Sequence, residues 1–336
     1  MSQDSAAPDP RRSALLAWLQ AAAATFGLHP ETLRPASSDA SFRRYFRLDA
    51  GHGGTLIAMD APPEREDSRP FVKVARLFGQ AGVTTPQILA EDLGQGFLLL
   101  GDLGQTTYLQ ALEAGADPHA LYPDALEALV RIQAATRADA LPPYDRARLM
   151  AELRLFPDWY LARHLQATLS PAEAAALEGV FETLIASALA QPAVFVHRDY
   201  HSRNLMQLDR GNPGVLDFQD AVIGPATYDL VSLLRDAYVE WPEEQQIDWA
   251  VRYWERARAA GLPVPADFSE LWRAMEWIGL QRSLKVLGIF ARLYYRDGKA
   301  RYLADLPRVM RHTRRTVERY AAFSELQRLL DRLESA

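Results

Sequence analysis

The chain has 336 residues, a length that calls for two lobes or domains rather than one small module. Its apolar fraction of 49% and charged fraction of 24% exclude long disordered tails, and the lack of any run of about 18 uncharged apolar residues excludes a spanning helix. With 37 basic against 43 acidic residues the net charge is −6, which argues against a general nucleic-acid binder, and the absence of cysteine excludes a disulfide scaffold, a thiolate zinc site, an iron–sulfur cluster and a Cys nucleophile.

Arg11 and Arg12 precede a mostly apolar run to Phe26, the arrangement of a twin-arginine export signal. The spacing instead predicts an amphipathic helix: Leu15, Leu16, Leu19, Ala22, Ala23 and Phe26 recur on one face, and Gly27 stands where a helix would end. A cytoplasmic protein is therefore expected. Phe42–Leu48 and Thr55–Met59 read as strands around the turn-rich 50–54 segment. Pro70–Gly79 reads as a helix with Phe71, Val74, Leu77 and Phe78 on one face. Gln87–Ala90 and Gly96–Leu100 read as two more strands, and Gly101–Gly104 as a hinge.

Beyond the hinge, helices are expected over 120–136, 146–167, 171–191, 226–240, 244–260, 268–294 and 306–335. One island interrupts them. Val194–Val196, Asn204–Leu208 and Val215–Leu216 read as three short strands, expected to form one small sheet whose loops carry function. No internal repeat and no low-complexity segment occurs.

The island spells His197-Arg198-Asp199-Tyr200-His201-Ser202-Arg203-Asn204, and thirteen residues after Asn204 comes Asp217, at the end of an apolar strand. If the strands lie side by side, Asp199, Asn204 and Asp217 converge. Asn204 and Asp217 offer the hard oxygen donors that magnesium takes together with phosphate oxygens and water. Asp199, set slightly apart, would accept a hydrogen bond from a substrate hydroxyl. Phosphoryl transfer uses this arrangement, because it demands positioning and charge neutralisation more than covalent chemistry.

His197-Arg198-Asp199 with Asn204 and Asp217 resembles the catalytic and metal-binding loops of protein kinases. The His-x-Asp-x-His-x-x-Asn spacing, with His201, together with Gly224-Pro225 and Tyr228-Asp229-Leu230, resembles more specifically the aminoglycoside phosphotransferase and choline kinase-like group. That resemblance implies an α+β, two-lobed, protein-kinase-like fold with a small β-rich lobe over residues 1–101 and a larger helical lobe over 102–336. It implies ATP in the cleft with Mg²⁺, catalysis by Asp199, metal binding by Asn204 and Asp217, and structural support from His197, His201 and Asp229. Three further segments, Met59–Glu64, Gly214–Ala221 and Leu284–Leu293, resemble the bacterial anomeric kinases of cell-wall recycling. That family phosphorylates the C1 hydroxyl of N-acetylmuramate and N-acetylglucosamine. Other acceptors on the same fold, aminoglycosides among them, and a nucleotide-binding pseudokinase are the alternative readings. A monomer with an amino sugar and ATP as partners, and no nucleic acid or membrane, is expected.

Two departures from the kinase pattern stand out. No glycine-rich nucleotide loop occurs, and Ser37, Ser38 and Ser41 are its expected substitute. The third strand, Thr55–Asp60, has Ala58 and Met59 where such folds carry a phosphate-binding Lys. Arg43, Arg44 and Lys73 are the candidate replacements, with Arg44 the choice. Ile57 and Leu100 are expected against the adenine, with Asp102 and Leu103 supplying hinge backbone. For the acceptor, residues 279–320 hold eleven basic and three acidic side chains, Arg282 and Lys285 among them. That excess suits an anionic sugar acid better than a polycationic antibiotic. Asp220, Arg235 and Asp236 are expected to contact sugar hydroxyls.

Overall fold

The computed structural model of the chain describes residues 9–38 and 42–334. Helix α1 (Pro10–Phe26) starts at Asp9, whose carboxylate accepts from the Arg12 N–H, and Pro10 takes a first-turn position where no N–H is needed. It stops at Gly27 in a left-handed turn, φ +63°. Leu15 and Leu19 are fully buried, and the paired arginines are used within the fold: Arg11 binds the buried Asp60 and donates to the Gln95 carbonyl at 2.8 Å.

Strands β1 (Leu28–Ser38), β2 (Arg44–Ala50), β3 (Gly54–Asp60), β4 (Ile88–Asp92) and β5 (Phe97–Gly101) form one antiparallel sheet in the order β1-β2-β3-β5-β4. Strand β1 is absent from the sequence expectations because Pro30 and Pro35 disqualify a central strand. It is an edge strand, where missing ladder donors are tolerated. Side chains alternate across the sheet. Phe46, Leu48, Ala58, Phe97 and Leu99 join Leu15 and Leu19 of α1 in one core. Met59, Leu98 and Leu100 point the other way, into the main core with Phe71, Val74 and Phe78 of α2 (Arg69–Gln80).

The rest is mainly helical, which makes the fold α+β. It comprises α3 (Tyr108–Glu113), α4 (Pro118–Ala134), α5 (Arg146–Leu153), α6 (Pro171–Leu189), α7 (Tyr228–Leu234), α8 (Glu243–Ala259), α9 (Phe268–Tyr295), α10 (Leu306–Arg319) and α11 (Ser324–Glu334). Helix α9 is the spine: it spans about 42 Å, and Ile278–Gly288 is continuously buried. The single helix expected over 146–167 is instead α5 followed by a π-helical segment, Phe156–His164. Pro157 cannot donate to a regular ladder, and the junction is pressed against Gly288, where a Cβ would lie 2.3 Å from the Leu155 carbonyl. The helix expected over 226–240 ends at Leu234, and that over 306–335 breaks into α10 and α11 where Tyr320 is extended. Among the described residues no helix is long and apolar enough to cross a membrane.

The island is not one three-stranded sheet. It is two antiparallel ribbons, β6 (Ala193–Val196) with β9 (Val222–Pro225), and β7 (Leu205–Met206) with β8 (Gly214–Val215). Val196 pairs with Val222 and Leu205 with Val215. The loops 197–204 and 216–221 therefore run side by side between the ribbons. The unexpected β9 is what brings them together.

Candidate active site

The loop 197–204 is held from beneath. Asp229, fully buried on α7, accepts the His197 N–H at 2.6 Å and the Arg198 N–H at 2.9 Å. Those bonds hold Arg198 at φ +80°, a costly conformation for a residue with a side chain. Burial pushes the Asp229 carboxyl up to about 6. His197 lies with Nε2 2.8 Å from the Leu216 carbonyl and so ties the first loop to the second. Asp236 accepts the Ser202 N–H at 2.9 Å and the Tyr238 N–H at 2.9 Å.

Asn204 then ties the backbone of Asp199 to the carboxylate of Asp217. Asn204 Nδ2 donates to the Asp199 carbonyl at 2.9 Å and to Asp217 Oδ2 at 3.3 Å. Gln219 Nε2 donates to Asp217 Oδ1 at 2.8 Å, and Asp217 itself is left-handed, φ +61°. An amide oxygen and a carboxylate at this spot are a donor set that fits Mg²⁺. Among the described residues no cluster of three His, Asp or Glu could hold a metal alone. Phosphate and water would complete the shell.

Asp199 sits among cations. Burial pushes its carboxyl up, but Lys285, His201, Arg282 and Arg198 outweigh that and bring it down to about 2. Burial holds the His201 imidazole below the usual histidine range. Lys285 Nζ is 3.1 Å from Glu152 Oε1 and donates to the Tyr228 hydroxyl at 3.0 Å. Arg198 also binds Glu152, as do Tyr144 and Gln281. Burial pushes Glu152 up, yet Lys285 and Arg198 keep its carboxyl low.

A cavity of about 550 Å³ opens between the sheet and these loops. Tyr45, Arg47, Ile57 and Leu100 form its sheet wall, Gly101–Gln105 its hinge wall, and Arg203, Asn204 and Asp217 close it from the loops. Ile57, Leu100, Asp102 and Leu103 all line this cavity. The Asp102 carboxylate pins the hinge by accepting from Arg47, from the Thr55 hydroxyl and from the Gly104 N–H. Burial opposes that charge, but those bonds keep the carboxyl low.

Several expectations need correction. Arg44 does not reach the cavity. It shares the face of Phe46, turned toward α1, and binds Asp9 and Asp60. The alternation of β2 sends its neighbours Tyr45 and Arg47 into the cleft instead. Arg43 is paired with Glu66, and Lys73 lines a separate groove along α2 with Arg69 and Arg76. Arg235 does not face an acceptor: it is buried, bound to Glu276 at 2.7 Å, to Gln246 and to Thr316. Asp236 is likewise committed to backbone donors, and Asp220 is exposed. The backbone of Ser37 and Ser38 ends β1 opposite Tyr45 and Arg44, while Ser41 lies outside the described residues. Sequence reasoning missed Glu152, Arg47, Arg203 and Tyr238. Of these only Arg203 carried a signal, as a cation adjoining Asn204.

The geometry defines a phosphotransferase, and the comparisons agree. The chain belongs to the phosphotransferase enzyme family, whose model matches residues 32–281. A solved choline/ethanolamine kinase family protein from Mesorhizobium loti has the same fold, with a TM-score of 0.61, 17% identity, and coverage of 94% of this chain and 96% of that one. Two relatives narrow the placement. A protein of Pseudomonas aeruginosa is 54% identical over 90% of this chain and 88% of its own length, and one of Neisseria meningitidis serogroup B is 48% identical over 95% of each. Both carry the name N-acetylmuramate/N-acetylglucosamine kinase.

Proposed function

We propose that this enzyme transfers the γ-phosphoryl group of ATP to the anomeric C1 hydroxyl of N-acetylmuramate and N-acetylglucosamine. The observation that carries this reading is the meeting of Asp199, Asn204 and Asp217 beside a nucleotide-sized cavity, in a chain whose relatives bear that substrate name. The sheet lobe up to Gly101 holds the nucleotide, and the helical lobe from Asp102 holds the acceptor. Ile57 and Leu100 flank the base, and the hinge offers backbone groups to it.

Asn204 and Asp217 would hold Mg²⁺, which would supply positive charge against the phosphates of the nucleotide. Asp199 accepts a hydrogen bond from the C1 hydroxyl and aims its oxygen at phosphorus. A carboxyl held near 2 is ionised at neutral pH. It orients the hydroxyl first and takes the proton as the new P–O bond forms and ADP departs. Lys285 and Arg198 share the single carboxylate of Glu152, and the positive charge left over keeps the Asp199 carboxyl ionised. One chain holds every residue of this site, so a monomer suffices, and the need for ATP places the reaction in the cytoplasm.

Phosphorus NMR of the protein with Mg·ATP and each sugar tests the reading. A sugar 1-phosphate signal is expected with both acceptors. Asp199→Asn should keep its fold and lose about 10²–10⁴-fold in kcat. Wild-type protein that hydrolyses ATP or transfers only to other hydroxyls would remove the amino-sugar assignment, and a folded Asp199→Asn variant with full turnover would remove the role of Asp199.

A further inference from the structure

The chain turns sharply just after Asp217. The Phe218 carbonyl accepts the Ala221 N–H at 3.0 Å, which leaves Gln219 and Asp220 at the corners of a turn. Phe218 is fully buried, its ring 4.9 Å from that of Phe71 and 6.1 Å from that of Phe78, both on α2. The backbone that carries Gln219 is therefore fixed on both sides.

From this turn the Gln219 side chain reaches back to Asp217, and the two ends of its amide fare differently. Nε2 donates to Asp217 Oδ1 at 2.8 Å. A carboxylate oxygen only accepts, so the amino end must be the one that faces it. Oε1 is shut off from solvent and has no hydrogen-bond partner among the described residues. One bond made and one acceptor orphaned leave this amide little net value for stability, and an apolar side chain of similar length would carry no orphan. What the amide offers is the one bond it makes.

That bond acts on the orientation of a carboxylate. Asn204 Nδ2 stands against the other oxygen, Asp217 Oδ2, at 3.3 Å. An amide at each oxygen sets the plane of the carboxylate. Asn204 and Asp217 line the cavity, whereas Gln219 does not. Gln219 thus holds the carboxylate from outside the space that a nucleotide fills.

Resting on the functional reading above, we propose that Gln219 is a positioning residue of the metal site, which keeps the Asp217 carboxylate in the orientation that takes Mg²⁺. It acts through Asp217 and touches neither nucleotide nor sugar. Hydrogen-bond partners of a ligating carboxylate are typically worth about 10- to 100-fold in metal affinity.

The test compares the Kd of ADP in EDTA with its Kd in excess Mg²⁺, by calorimetry, in wild type and Gln219→Met. The ratio of the two reports the metal and needs neither sugar nor turnover. Gln219→Met should lower the ratio by about 10-fold or more and leave the Kd in EDTA unchanged. The Tm of the nucleotide-free variant should be no lower than that of wild type, because the lost bond and the lost orphan offset each other. A ratio equal to wild type in the folded variant overturns the proposal, whether the Tm falls, which makes Gln219 structural, or the KM of the sugar rises, which assigns its amide to the acceptor. Gln219→Leu carries the same expectation and serves if the Met variant does not fold. A wild-type ratio near 1 removes the metal from the functional reading and this proposal with it, while a wild-type ratio well above 1 leaves only Gln219 at stake.

Discussion

Asp229 shows how one buried side chain organises a site it never enters. Both of its oxygens are spent on backbone N–H groups that begin the loop 197–204. Burial raises its carboxyl to about 6, above its unfolded value near 4. A raised acid binds its proton more tightly in the folded state, so this residue's contribution to stability is full below about pH 4 and is lost as pH rises through 6. Asp199 is shifted the opposite way, and its contribution is lost only as pH falls toward 2. Between pH 4 and 7 burial also holds His312 and His201 below the usual histidine range, which adds stability as pH rises, so the part due to Asp229 is read as a difference between two proteins. In Asp229→Asn the difference in unfolding free energy between wild type and variant should fall across that window by up to roughly 3 kcal/mol. Denaturant titrations at several pH values measure it, and a flat difference would place the shift elsewhere. At neutral pH the variant should still be the less stable protein if the amide leaves one loop N–H without an acceptor, by about 1–3 kcal/mol.

At the scale of elements, α5 is joined to α9 and to the loop through a single carboxylate. Glu152 receives Arg198 from the loop, Lys285 and Gln281 from α9, and the Tyr144 hydroxyl from the segment before α5. Glu152→Gln removes the charge and leaves two buried cations facing a neutral amide. A loss of about 3–5 kcal/mol in unfolding free energy is expected, measurable by chemical denaturation. The double variant Glu152→Gln with Lys285→Met should recover part of that loss, because one of the unpaired charges is gone. Additive losses would show that the two residues do not act as a pair. None of this was legible in the sequence. Glu152 lies 47 residues before Asp199 with no spacing that links them.

For the whole molecule, the sheet and the helical lobe share the 550 Å³ cavity, so a ligand that fills it ties them together. Mg·ATP at about 100 times its Kd should stabilise the fold by about 2.7 kcal/mol, a rise in Tm on the order of 5 °C for a chain of this size. EDTA should abolish the rise, and Asp217→Ala should lose it even with Mg²⁺ in excess. A rise that survives in Asp217→Ala would separate nucleotide binding from that carboxylate.

What the linear order of residues settled by itself was local. Periodicity marked α1, α6, α8 and α9, and the α+β class followed from a strand-rich first hundred residues before a helical remainder. The spacing of Asp199, Asn204 and Asp217 marked the candidate site, though not the strand pairing that assembles it. Tertiary structure decided what the chain direction cannot show. Strand alternation together with the packing of α1 turned Arg44 away from the cleft and Arg47 into it. The pairing of β6 with β9 set the two functional loops side by side. Packing buried Arg235 against Glu276 and Lys285 against Glu152. Whether a charge on a helix is structural or available depends on which distant carboxylate meets it, and only folding brings those carboxylates near.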